Sequence, residues 1–279
     1  MKKLIFLIIP IFFSLIFIFF LDYKIGYKFI KYPKFVNAKY DHDLRKNIKI
    51  YERGMAIYTN NYGFKSPNRS KIKNKNFDVA FIGDSFTEGV GVAYENTFVG
   101  IFHEKTNKKV INLGVSSYSP SIYLEKIRHY LDIGFKFDEL IVFIDISDIQ
   151  DEAVTYITDE NNYIHRRQIG LVSKFRRDLQ ITLTKFPLIY STISRSKNFI
   201  NRIINYYNRE KNYIQKKDLT THDPYSVGIY DYNYARAFWT YHDDNAPYNP
   251  LKIKGGINQS LKKMTELHDI LNKKNIKLS

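Results

Sequence analysis

The chain has 279 residues, 44% of them hydrophobic, and a formal net charge of +15. That length allows one substantial domain with additions, and the apolar fraction is ordinary for a folded protein. Cysteine is absent, which excludes disulfides, thiolate metal sites and a cysteine nucleophile; Lys and Arg are scattered without a compact basic block, so no nucleic-acid partner is expected.

Leu4 to Leu21 is apolar apart from Pro10 and Ser14 and carries no charge. As a helix it would be about 27 Å long, enough to cross a hydrocarbon core. A cleaved signal peptide has a shorter apolar region and small residues at its cut site, whereas Leu21-Asp22-Tyr23-Lys24 follows here. Residues 1–23 therefore read as a single-pass signal anchor. Counting Lys2 and Lys3 against Lys24, Lys28, Lys31 and Lys34 favours a cytoplasmic domain. A short Lys-Lys start before an apolar run nevertheless has the form of an export signal, so the domain is expected outside, in the periplasm or at the cell surface.

Residues 24–76 are polar, aromatic and basic, with turn signals at Asn60-Asn61-Tyr62-Gly63 and Ser66-Pro67-Asn68. They read as a lead-in segment that packs on the domain without a core of its own. The domain itself, 77–279, begins where short apolar runs alternate with helical stretches. Val79-Ala80-Phe81-Ile82 is the first strand, and a helix from about Tyr94 to Lys105 should turn Phe98, Ile101 and Phe102 inward. Val110-Ile111-Asn112-Leu113 is the second strand, followed by a helix from about Ser119 to Ile133. Leu140 to Ile144 is the third, apolar throughout as a strand covered on both faces is. This order predicts an α/β fold of three layers, a parallel sheet flanked by helices. Residues from about 151 to 244 interrupt the rhythm as a helical insertion, one of whose helices is expected over Phe199 to Tyr207. A last helix begins at Ser260 with Leu261, Met264, Leu267 and Leu271 on one face, and Ile276 to Ser279 starts another strand.

Ligands of parallel sheets bind outside the carboxyl ends of the strands. Three loops fall there: Gly83-Asp84-Ser85, Gly114-Val115-Ser116-Ser117-Tyr118, and Asp145-Ile146-Ser147-Asp148. Gly83 and Gly114 suit tight turns and close backbone approach. A serine at a strand-to-helix turn can be an exposed nucleophile with backbone N–H groups nearby for an oxyanion. The competing reading is that Asp84 and Ser85 simply cap a helix.

Gly83-Asp84-Ser85, with Thr87, Glu88 and Gly89 after it, resembles the first block of the SGNH (GDSL-type) hydrolase family. Asn112-Leu113-Gly114 resembles its second block, and Asp145-Ile146-Ser147-Asp148 its third, normally Gly-x-Asn-Asp. Tyr58 to Phe64, and Trp239-Thr240-Tyr241 onward through Ser260 to Ser279, are also similar to membrane-anchored members, so the resemblance covers about residues 58–279. It implies an SGNH/flavodoxin-like fold and a serine esterase or O-acyltransferase acting on ester groups, acetyl esters of cell-surface glycans above all. Ser85 would be the nucleophile; its own N–H, the Gly114 N–H and Ser147 would hold the oxyanion; Asp84 and Asp148 would support the loops.

Two departures stand out. Ser147 replaces the family's asparagine donor, and loss of one oxyanion donor costs about 10²–10³ in rate. The family's closing Asp-x-x-His block, which supplies the base, occurs nowhere in the 279 residues; the chain reads as truncated before it. Of the histidines present, His242 beside Asp243 is the best substitute base. A metal site of His242, Asp243 and Asp244 is not expected, because consecutive side chains rarely converge on one ion, and no cofactor is implied. A chain without a base also fits a second class, a non-catalytic anchored protein holding a partner or polymer in the same cleft, or an inactive fragment.

Overall fold

In the computed structural model of the protein, the described residues are 2–26, 34–52, 54–69, 71–166 and 255–279, with 179, 182–183, 185–193, 196 and 199–200. Two compact units divide the chain, Met1–Tyr32 with Ile169–Thr221, and Pro33–Gln168 with His222–Ser279. Of the insertion expected over about 151–244, residues 151–166 are described within the second unit, and most of the rest lies outside the described residues.

The first unit contains α1 (Lys2–Ile25), a helix of 24 residues. Its described side chains are exposed and apolar from Phe12 to Leu21 apart from Ser14. Among the described residues, no helix is long and apolar enough to cross a membrane. Just past the apolar run the buried Asp22 carboxylate accepts the Leu188 and Ile189 N–H groups at 2.8 and 2.9 Å. Most of the helix expected over Phe199 to Tyr207 lies outside the described residues.

The second unit begins with small antiparallel pieces. β1 (Lys34–Asn37) pairs with β2 (Asp41–Leu44), and β3 (Lys49–Glu52), β4 (Met55–Thr59) and β5 (Lys65–Ser66) form a three-stranded sheet. Then come β6 (Asn76–Ile82), α2 (Ser85–Glu88), α3 (Phe98–Thr106), β7 (Val110–Asn112), α4 (Pro120–Asp132), β8 (Lys136–Val142) and α5 (Ile146–Gln150). A π-helical turn (Asp151–Thr155) leads to the hairpin β9 (Tyr156–Thr158) and β10 (Ile164–Arg166), and the unit closes with α6 (Gly256–Asn272) and β11 (Lys277–Leu278).

β11, β8, β6 and β7 lie side by side in that order, and every pairing is parallel. In chain order the sheet reads second, first, third, fourth, a doubly wound arrangement with its switch point at the carboxyl end of β6. β6 explains its own position. Val79 and Phe81 face one layer with Tyr94, Val99 and Phe102, while Ala80 and Ile82 face the other with α4 and α6 residues such as Ile127 and Leu267. A strand buried on both faces needs apolar side chains in both registers, and this one has them. Each fully buried Leu or Ile of that core contributes roughly 1.5–3 kcal/mol.

Several helix faces differ from expectation. In α3 the core residues are Val99 and, partly, Phe102, whereas Phe98 and Ile101 are exposed. The helix begins only at Phe98, capped by the Thr97 hydroxyl on the Gly100 N–H at 3.0 Å, after a separate 3₁₀ turn at Tyr94–Asn96. Val99 and Gly100 take the inward positions of α3, which turns Phe98 and Ile101 to the outer side and leaves Phe102 at the edge. α6 starts four residues before Ser260, and Leu261 lies outside while Leu267 and Leu271 are fully buried. β8 ends at Val142, so Phe143 and Ile144 leave the sheet and are exposed. The lead-in contributes Tyr40, Leu44 and Phe64 to the main core.

α4 shows how a buried acid serves a helix end. Pro120 occupies the first turn, where its missing N–H is no loss. The Glu152 carboxylate accepts the Ser121 N–H at 2.9 Å and the Ser119 and Ser121 hydroxyls at 2.7 and 2.5 Å. An anion at a helix N-terminus is also favoured by the dipole.

Candidate active site

Ser85 stands one turn past the end of β6, as the first residue of α2. The preceding Asp84 caps that helix, accepting the Phe86 N–H on Oδ1 at 2.9 Å. Its other oxygen, Oδ2, accepts the Ser85 hydroxyl at 2.8 Å. The capping role and the serine contact are thus made by the same carboxylate. Ser85 is half-buried, Asp84 buried. The Ser85 N–H has no hydrogen-bond partner among the described residues, so it is available to an incoming oxygen.

Neither glycine of the first two loops has a positive φ; both are needed for space. A Cβ on Gly83 would lie 2.2 Å from Thr87 Oγ1 and 2.9 Å from the Phe143 carbonyl, and one on Gly114 would lie 2.7 Å from Thr87 Cβ and 2.9 Å from the Glu88 nitrogen. Thr87, fully buried, therefore fills the space beneath both loops. Asn112 ties the same parts together. Its Nδ2 donates to the Thr87 carbonyl at 2.6 Å and its Oδ1 accepts the Gly114 N–H at 2.9 Å. The N–H expected to hold an oxyanion is thus already donated to Asn112.

The third loop is a helix start. Asp145 caps α5, and its Oδ1 accepts the Ser147 N–H at 2.5 Å and the Asp148 N–H at 3.1 Å. The Ser147 hydroxyl also donates to Asp145 Oδ1, at 2.5 Å, so the second expected donor is likewise engaged inside the protein. A serine can reach its own helix cap in this way because its hydroxyl sits close to the backbone. Asp148 Oδ2 accepts the Tyr123 hydroxyl at 2.6 Å and the Asp145 N–H at 3.0 Å. Burial pushes the Asp148 carboxyl up to about 8; those two hydrogen bonds oppose the shift, and the charges of Asp84 and Asp145 add to it. The carboxylates of Asp84, Asp145 and Asp148 converge, each offering an oxygen within 4.8 Å of the others.

A cluster from the lead-in lies against the second loop, and nothing in the spacing of its residues pointed to it. Glu88 Oε2 accepts the Ser116 N–H at 2.7 Å and lies 3.7 Å from Lys34 Nζ, which also donates to the Ser116 hydroxyl. His42 Nε2 meets the Ser116 carbonyl at 2.8 Å, and its Nδ1 meets Asp41 Oδ2 at 2.7 Å. Burial works to raise the Asp41 carboxyl, but the His42 hydrogen bond and charge, with Arg166, hold it below the usual carboxylate range. These partners come from a hairpin some seventy residues earlier in the chain, so no local spacing could reveal them.

Among the described residues, no histidine bonds to Ser85. His42, His103, His165 and His268 face Ser116, Tyr94, Asp159 and Asn272 respectively. His242, Asp243 and Asp244 lie outside the described residues. Fold and site together define an α/β protein with a doubly wound parallel sheet, whose switch-point crevice holds a serine, three carboxylates and close-packed glycine loops. No family model and no curated protein matches the chain.

Proposed function

We propose that this protein is a membrane-anchored serine esterase or O-acyltransferase of the SGNH type, acting on acetyl esters of cell-surface glycans. The observation that carries the reading is the position of Ser85. Its hydroxyl and its free N–H sit together at the switch point, beside the two loops that would complete an oxyanion site. Ser85 Oγ attacks the ester carbonyl carbon, and the alcohol leaves with the proton taken from the serine. The acyl group then passes from Ser85 to water or to a sugar hydroxyl.

For the oxyanion to be held by more than the Ser85 N–H, the Gly114 N–H must turn from Asn112, or the Ser147 hydroxyl from Asp145. Each donor so recruited is worth about 10²–10³ in rate. The base is an imidazole from outside the described residues, His242 being the candidate that the sequence offers. The anchor is the apolar run Leu4 to Leu21, with the domain on the outer side of the membrane.

The engagement of Gly114 and Ser147 inside the protein also favours a second reading, a binding protein that keeps the fold and holds a glycan without turnover. One experiment separates them. Detergent-solubilised full chain is assayed for aryl-acetate hydrolysis beside Ser85→Ala. A loss of at least a hundredfold in the variant supports the esterase, and equal rates leave only the binding protein.

A further inference from the structure

We propose that Asp84, Asp145 and Asp148 bind one divalent cation, calcium in preference to magnesium, at the carboxyl ends of β6 and β8. Each residue offers a carboxylate oxygen, and the three oxygens lie within 4.8 Å of one another. The proposal does not rest on these carboxylates alone. Asp148 is only 1% exposed, and while its Oδ2 is held by Tyr123 and Asp145, its Oδ1 is buried without any hydrogen-bond partner. An unsatisfied oxygen on a carboxyl that has two further carboxylates beside it is costly and asks for a positive ligand.

Among the described residues no ion pair reaches Asp84, Asp145 or Asp148; those of Lys34, Lys126, Arg128, Arg166, Lys263 and Lys277 all go to other acids. A hard cation with oxygen ligands would satisfy all three carboxylates at once.

The donor set selects among such ions. Calcium is commonly held by several carboxylates, whereas magnesium gives up its water reluctantly and is usually bound through one or two. Three carboxylates therefore favour calcium. Access is from the side of Asp145, which is half-buried where Asp84 and Asp148 are buried; water on that side completes the coordination. The ion would sit close to the Ser85 hydroxyl, which donates to the same Asp84 carboxylate. Its binding does not depend on Ser85 being a nucleophile.

The test uses full chain in detergent, stripped with chelator and titrated with terbium, a luminescent probe of calcium sites. Tyr123, bonded to Asp148, should sensitise the emission. The expected result is one terbium per chain, displaced by calcium at least tenfold more effectively than by magnesium. Asp148→Asn and Asp145→Asn should each weaken terbium binding at least tenfold, while the exposed Asp269→Asn leaves it unchanged. Asp145→Asn, on the half-buried side, keeps the test decisive if Asp148→Asn fails to fold. Absence of sensitised emission, unchanged affinity in Asp145→Asn, or displacement by magnesium in preference to calcium would overturn the assignment. Ester hydrolysis is read separately, so failure of one proposal is not failure of the other.

Discussion

Replacing Lys126 with methionine keeps the length of the side chain but removes the ammonium that Asp43 faces. Lys126 lies on the buried side of α4, and its Nζ donates to Asp43 Oδ1 at 2.9 Å and to the Tyr118 hydroxyl at 3.0 Å. Both charges are almost wholly out of water, with side-chain exposures of 1% and 5%. Burial works to lower the Lys126 pKa, and the Asp43 charge opposes it. Asp43 Oδ2 accepts the Tyr40 hydroxyl at 2.9 Å, so its carboxylate cannot turn to solvent without breaking that contact as well. Losing one partner of a buried pair leaves an uncompensated charge and costs about 3–5 kcal/mol, against about 0–1 kcal/mol for an exposed pair. For a domain of this size that is a drop in melting temperature of roughly 6–20 °C. Asp43→Asn should cost a similar amount. In the double variant both charges are gone and the asparagine oxygen still accepts from Tyr40, so the double should fall short of the summed single costs by about 2 kcal/mol or more. Urea and thermal unfolding followed by circular dichroism measure all three. A cost below about 1 kcal/mol for Lys126→Met, or additive single costs, would refute the view that this pair ties β2 to α4.

Gly114→Ala should destabilise by about 1–3 kcal/mol, because the new methyl meets Thr87 Cβ at 2.7 Å and the Glu88 nitrogen at 2.9 Å; an unchanged unfolding midpoint would show that the loops can yield. Asn112→Ala strands the buried Gly114 N–H and Thr87 carbonyl and should cost about 1–3 kcal/mol for each group left without a partner, read by the same denaturation. Asp148 makes stability depend on pH in metal-free buffer. Its folded pKa, about 8, stands above the unfolded value near 3.8, so its contribution is fully present below pH 3.8 and is lost as pH rises through about 8. Between those values the folded protein retains a proton that the unfolded chain releases, and stability should fall by up to about 1.4 kcal/mol per pH unit. Urea midpoints in chelator from acid to mildly alkaline pH should therefore fall less steeply in Asp148→Asn than in the unaltered protein; equal slopes would count against a raised Asp148 pKa.

Much of the parallel sheet was legible because buried parallel strands are apolar in every register. Val79 to Ile82 and the third run from Leu140 announced β6 and β8, although β8 starts at Lys136 and stops before Phe143. Helix faces were harder. In α3 Val99 and Gly100 take the inward face in place of Phe98 and Ile101, and in α6 Ser260 takes it beside Leu267 and Leu271, which leaves Leu261 about a hundred degrees round the helix and exposed. At the site, the position of the loops after the strands, together with the motif resemblance, marked Gly83, Asp84, Ser85, Gly114, Ser147 and Asp148. It could not show that Asn112 holds the Gly114 N–H or that Asp145 holds the Ser147 hydroxyl.

By itself the sequence determined which segments form the sheet and its flanking helices, since hydrophobic period and glycine position are local properties of the chain. Only the tertiary structure decided what those segments bring together. Asp84 and Asp145 are 61 residues apart yet converge because parallel pairing puts the carboxyl ends of β6 and β8 side by side. Lys126 meets Asp43 only because the lead-in folds back over α4. Contacts of that kind depend on the order of strands in the sheet and the packing of layers against it, and no spacing along the chain encodes either.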